Sequence, residues 1–200
     1  MKQIFVSSTL LWNAGLEEMF QRVYDNGFDG IELWAQHFFT NGYDTQEYLR
    51  LQALYPLRTC VHSCSWDLNL ASMNQGIRKM SIRQVETSMR LAAELEALEL
   101  TVHPGHMTLQ GRREESMKLL QDSLEQIGRL SERIGVDVSL EIMEKIPKEF
   151  VTDAQSMKEA AGSRKNQFFY TLDIAHCDSE EEPFHILDQL KRISKIHISN

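Results

Sequence analysis

The sequence predicts an α/β fold in which parallel strands alternate with helices. Three observations carry this reading. Seven short β-type runs recur along the chain, at 4–8, 30–33, 59–63, 100–103, 136–142, 168–173 and 195–198. Stretches with helical periodicity lie between them. The strand runs read as mostly apolar throughout, which implies burial on both faces, as in a parallel sheet covered by helices. Seven repeats of this kind fit either a (β/α)8 barrel or an open doubly wound sheet. Barrels run to ~250 residues, and the 200-residue sequence stops on its seventh strand. The expectation is one domain over residues 1–200, either a barrel without its last β/α unit or a sheet that stays open.

The helices follow from their apolar spacing. Leu16, Phe20 and Val23 mark the first. Val85, Met89, Ala92 and Leu95 mark another, with steps of 4, 3 and 3. The clearest stripe is Met117, Leu120, Leu124, Ile127, Leu130 and Ile134, one face turned to a core. Leu187, Leu190 and Ile193 predict a last helix before the final strand.

Composition narrows the function classes. There are 21 Lys and Arg against 29 Asp and Glu, a net charge of −8. That balance argues against tight non-specific nucleic-acid binding, since phosphate neutralisation needs a basic face, and leaves room for a local basic cleft. No apolar run approaches the ~18 residues of a membrane span, and the start, MKQIFVSSTL, lacks the long apolar stretch of a signal peptide. The three cysteines, Cys60, Cys64 and Cys177, are too few for a disulfide framework and read as buried small hydrophobes in a reducing, cytoplasmic setting.

The most informative pattern is a register. Strand three ends in His62, strand four in His103, strand five carries Glu141, strand six ends in Asp173 with His176 three residues on, and strand seven carries His197. Strand two offers Glu32. In a parallel α/β protein such ends share one face, where these folds place their active sites. A lone His at a strand end is more often a hydrogen-bonded structural residue, but five ends in one register point to a bound divalent metal. Imidazole and carboxylate together suit Zn²⁺, Mn²⁺ or Fe²⁺ better than Ca²⁺. Glu32 reads equally as a substrate contact or a structural ion pair, and Trp34 and Trp66 as walls of an active-site mouth or as packing. His37 and His106 read as loop residues, and His185 as an exposed helix residue.

At these residues the chain resembles the sugar phosphate isomerase/epimerase family of xylose isomerase-like TIM barrels, a superfamily that includes the endonuclease IV type of apurinic-site endonuclease. The resemblance runs from Phe28-Asp29-Gly30-Ile31-Glu32-Leu33 to the end. Its strongest pieces are His62 with Leu68-Asn69-Leu70-Ala71, His103-Pro104-Gly105, Asp173-Ile174-Ala175-His176 and Ile196-His197-Ile198. It implies a (β/α)8 TIM-barrel type of fold. It makes His62 and His103 ligands of one metal, with Glu141 bridging to a second that Asp173 and His197 also bind. His176 becomes a ligand of a third metal or a substrate contact. In single-metal epimerases the ligands are Glu141, Asp173, His197 and a strand-eight Glu, which has no counterpart in this sequence. The loop Glu141-Ile142-Met143-Glu144-Lys145-Ile146-Pro147 departs from the Gly-rich loop of the nucleases.

Three functions follow as expectations. The first is a metal-dependent isomerase or epimerase of a small sugar, sugar phosphate or related hydroxy-carbonyl compound. Glu141 is its general base, one to three divalent ions stabilise the enediolate, and His176, Glu32 and Trp66 are substrate contacts. The second is a metal-dependent phosphodiesterase acting on abasic DNA. The third is a non-catalytic barrel with a vestigial metal site, whose exposed strand edges a homo-oligomer would cover.

Overall fold

A computed structural model describes residues 2–199. Seven strands form one sheet: β1 (Phe5–Ser7), β2 (Gly30–Trp34), β3 (Arg58–His62), β4 (Leu100–Val102), β5 (Val138–Ile142), β6 (Phe169–Asp173) and β7 (Ile193–His197). All neighbouring pairs are parallel, and the spatial order is the chain order, β1 to β7. Among the described residues β1 and β7 are not paired, so these seven strands leave the barrel open between them. Helices α1 (Leu16–Asp25), α2 (Ala35–Thr40), α3 (Thr45–Leu54), α4 (Gln75–Glu94), α5 (Arg113–Ile134), α6 (Ala154–Ala161) and α7 (Glu182–Gln189) fill the connections. No helix among the described residues is long and apolar enough to cross a membrane.

The expected strands agree with the observed ones to within a residue or two at most ends. The α4 and α5 stripes are buried as their spacing required, including Val85, Met89, Leu120, Leu124 and Ile127. Before the last strand the expected stripe shifts. Ile186 and Leu190 are the buried positions, Leu187 is exposed, and Ile193 opens β7 instead of closing a helix. Apolar spacing does not reveal α2, which has only six residues, or α3, which carries too few buried positions to form a stripe. The start of α3 is set by Asp44, whose carboxylate accepts the Glu47 N–H at 2.9 Å, and only Tyr48 and Leu51 are buried along it.

One expectation is corrected. The inner strands β2–β6 are buried on both faces but apolar on one only. Neighbours in a parallel sheet share a face, and residues alternate along each strand. The registers Glu32↔Cys60, His62↔Thr101, Thr101↔Ser139, Glu141↔Thr171 and Asp173↔His197 therefore put a polar set on the concave face. Ile31, Leu33, Val61, Leu100, Val102, Val138, Leu140 and Leu172 form the opposite set. They join the helices in one hydrophobic core. At about 25 cal/mol per Å², that outer interface supplies the main driving force for folding, which leaves the interior free for chemistry.

Candidate metal centre

Three donor atoms meet at the C-terminal ends of β3, β4 and β5. His62 Nε2 lies 3.1 Å from His103 Nε2 and 3.4 Å from Glu141 Oε2, and His103 Nε2 lies 3.3 Å from the same oxygen. A tetrahedral ion about 2.0–2.1 Å from each donor would hold them about 3.3 Å apart, so the triangle has the size of one coordination sphere. Glu141 Oε2 is buried with no hydrogen-bond partner, an arrangement that needs an external partner. His62 Nδ1 donates to the Ser63 carbonyl at 2.9 Å, which fixes the ring with its Nε2 lone pair turned to the triangle. The Trp34 ring stacks on His62 at 3.9 Å and 3°. These residues fit a divalent cation.

A second group shares Glu141. One ligand atom each from Glu141, Asp173 and His197 falls within 4.8 Å of the others. His197 Nδ1 is 3.4 Å from Glu141 Oε1, so the two carboxylate oxygens face different groups. His197 Nε2 sits 2.9 Å from Glu32 Oε2, off the N–H axis, in an ion pair and not an aligned hydrogen bond. Glu32 lines the cavity, but its other oxygen is taken by Lys195 Nζ at 2.7 Å and by the Thr101 hydroxyl at 3.1 Å. Lys195 also reaches Glu99 at 3.2 Å. Sequence reasoning missed Lys195 and Glu99. The signal for Lys195 was available: it stands two residues before His197 and so shares its face.

Charge sets the protonation of the centre. Burial opposes ionisation of Glu141, but the facing His103, with His197 and His62, outweighs it and holds the carboxyl well below the usual range. Burial pulls His62 down. His103 is pushed up by Glu141 against its own burial. His197 also resists burial: Glu141 and Glu32 push it up to about 10. Burial raises the Cys60 thiol to about 12, so it is inert. Cys64 is buried and Cys177 half-buried, and all three are free thiols.

His176 belongs to neither group of donor atoms. Its Nδ1 donates to the Ile142 carbonyl at 2.7 Å, and its Nε2 faces Glu144 at 3.2 Å and Asp173 at 3.6 Å. Glu144, three residues beyond Glu141, was not singled out as a site residue. Trp66 is half exposed at the cavity mouth, 5.2 Å from Trp12 and 6.3 Å from Trp34. His37, expected in a loop, is instead fully buried on α2, where its ring stacks on Trp12 at 4.5 Å and its Nε2 meets the Trp12 carbonyl at 3.0 Å. His185 is exposed on α7, as expected.

The loops that carry the histidines are braced from below. Asn69 Oδ1 accepts the backbone N–H groups of Ala71 and His106, and its Nδ2 donates to the His106 carbonyl. Ser81 and Ser88 of α4 accept the N–H groups of Asn69 and Cys64, and Ser123 of α5 donates to the Leu70 carbonyl. Gly105 has φ +89°, and a Cβ there would lie 2.6 Å from Asn69 Oδ1 and 2.8 Å from the Leu70 nitrogen. This is why the Asn69-Leu70-Ala71 and His103-Pro104-Gly105 pieces go together: the second passes directly over the first.

Comparison with known proteins agrees with this fold. A curated relative from Methanocaldococcus jannaschii, an uncharacterised protein, is 28% identical over 151 residues, covering 75% of this chain and 59% of its own length. Among solved structures, a D-tagatose 3-epimerase-like protein superposes with TM-score 0.85 at 23% identity, covering 98% of this chain and 75% of that one. The 3-keto-D-glucoside 4-epimerase of E. coli gives 0.86 at 17% identity, covering 100% and 80%. The model of the xylose isomerase-like TIM barrel family matches residues 20–200, and the chain belongs to that family.

Proposed function

We propose that the protein is a metal-dependent isomerase or epimerase of a small polyhydroxy carbonyl compound. The observation that carries this reading is the buried carboxylate of Glu141, set between two groups of imidazole and carboxylate donors on an open cavity. The epimerase names of the solved structures with this fold point the same way. A divalent ion held by His62, His103 and Glu141, or by Glu141, Asp173 and His197, would supply Lewis acidity, stabilising the negative charge that builds on oxygen when a proton leaves the neighbouring carbon.

Glu141 accepts that proton. The C–H electron pair becomes a C=C bond and the carbonyl pair moves onto oxygen. Because Glu141 is ionised at neutral pH it is in the form a base requires, and such catalysis typically supplies ~10²–10⁴-fold. Glu32, held by Lys195, fixes the imidazole of His197. His176, fixed through Nδ1 and paired with Glu144 through Nε2, lines the cavity beside the place a substrate hydroxyl would take, and Trp66 with Trp34 forms an apolar wall for the sugar's carbon face. The test is solvent exchange. With Mn²⁺ in D2O, the protein should incorporate deuterium beside the carbonyl of D-tagatose or D-fructose, and EDTA should stop it. No exchange with any ketose or ketose phosphate in a panel would overturn the reading.

The tight His62–His103–Glu141 triangle also favours a second reading, hydrolysis of a phosphodiester at an abasic site, in which two ions sharing Glu141 activate water and clamp phosphate. The net charge of −8 opposes it. Chelator-sensitive nicking of an abasic duplex, without ketose exchange, would select it.

A further inference from the structure

We propose that Glu149 is a substrate-contacting residue whose carboxyl takes a hydroxyl of a polyhydroxy ligand lying between it and Glu141. The inference rests on the isomerase reading and deepens it by naming the second polar anchor of the ligand. Glu149 stands in the loop between β5 and α6, on the same cavity as Glu141, His103 and His176. Its side chain is only 5% exposed.

Among the described residues only two carboxylates keep a buried oxygen with no hydrogen bond, Oε2 of Glu141 and Oε2 of Glu149. The first is explained by the donor triangle. The second has no hydrogen-bond partner among the described residues. The nearest cation, Lys148 Nζ, is 3.9 Å from the other oxygen and points from a half-exposed side chain. Glu144, the neighbouring acid on this loop, is occupied by His176 at 3.2 Å. An unpaired buried carboxylate costs free energy, and such groups in native proteins call for a partner from outside.

The loop is preformed. Met143 N–H donates to the Val151 carbonyl at 3.0 Å, Glu149 N–H to the Ile146 carbonyl at 2.9 Å, and Met107 N–H, from the loop after β4, to the Lys148 carbonyl at 2.8 Å. The charged groups facing Glu149 are Lys148 and Glu144 from its own loop, His103 from beyond β4 and His176 from beyond β6. Burial, helped by Glu144 and opposed by Lys148, His103 and His176, pushes the carboxyl up to about 7. At neutral pH it can therefore either donate to a hydroxyl or accept from one.

The experiment uses the Mn²⁺-loaded protein with D-tagatose and D-fructose as probes. Glu149→Leu should weaken ketose binding roughly tenfold, the scale of one lost hydrogen bond to a buried group, while Mn²⁺ affinity stays within about twofold. Glu149→Gln should retain part of the ketose affinity. In the Zn²⁺-loaded wild type, the carboxyl ¹³C resonance that Glu149→Gln removes should shift on ketose addition. This measurement stands even where Glu149→Leu fails to fold. If the wild type binds and exchanges a ketose while that resonance stays still and Glu149→Leu binds equally well, the Glu149 assignment falls and the isomerase reading stands. If the wild type binds neither ketose, both fall.

Discussion

The two faces of the sheet are built on different rules. On the outer face Ile31, Leu33, Val61, Leu100, Leu140 and Leu172 pack against helices and are 1% exposed or less. On the concave face Glu32, His62, Thr101, Ser139, Glu141, Thr171 and Asp173 are nearly as buried, yet they are polar and mostly bonded to one another. Ser139 and Thr171 hydroxyls share a 2.7 Å hydrogen bond, and Lys195 crosses from β7 to Glu32 and Glu99. TIM barrels commonly fill the interior with bulky branched side chains; here it is an ionic network capped by imidazoles and carboxylates that could hold a metal ion. Burial alone therefore does not report the source of stability in this molecule. The outer face stabilises the fold, and the inner face spends part of that stability on charge held in place.

Adjacent residues on β5 test the contrast most sharply. Glu141→Gln should lower ketose proton exchange at least ~10²-fold, measured by deuterium incorporation, with the folded state retained by circular dichroism. Equal loss of fold would erase the distinction between the faces. Its neighbour Leu140→Ala, on the outer face, should cost roughly 2–5 kcal/mol of stability in urea denaturation, while the variant still binds Mn²⁺ where folded. Gly105→Ala lies on the brace between the two regions. It should cost at least ~1–2 kcal/mol for the left-handed backbone and also weaken Mn²⁺ binding by displacing His103, read by calorimetry. Unchanged metal affinity would show that the brace serves the fold alone.

A further test of the inner face is in pH. His197 is raised from 6.5 to about 10 by its carboxylate partners. A raised group contributes stability that is complete below its unfolded value and lost as pH rises through the folded one. The metal-free protein should thus lose Tm between about pH 6.5 and 10, and His197→Gln should flatten that slope. Because an imidazole ligand must be neutral, Mn²⁺ should bind more tightly across the same interval. A Tm that rises there would refute the ion-pair account of the inner face.

Much of this was legible beforehand, for specific reasons. The strand ends showed because the pleat turns Glu141, Asp173 and His197 to one side, and a ligand at a strand end needs no knowledge of its partners. The α4 and α5 stripes showed because helical spacing is local. The alternation of apolar and polar faces was hidden because Thr, Ser and Cys interrupt the strands with small side chains that read as apolar runs. His37 looked like a loop residue because its partners, Trp12 and Tyr43, lie in other segments.

The sequence by itself determined the order of strands and helices and the imidazoles and carboxylates at their ends, because period and composition are written residue by residue. Only the tertiary structure decided that His62, His103 and Glu141 stand 3.1–3.4 Å apart, that Lys195 neutralises Glu32 across the barrel, and that Glu149 Oε2 has no hydrogen-bond partner among the described residues. Those are distances between residues tens of positions apart, and they exist only once the sheet has curled and its parallel register is fixed.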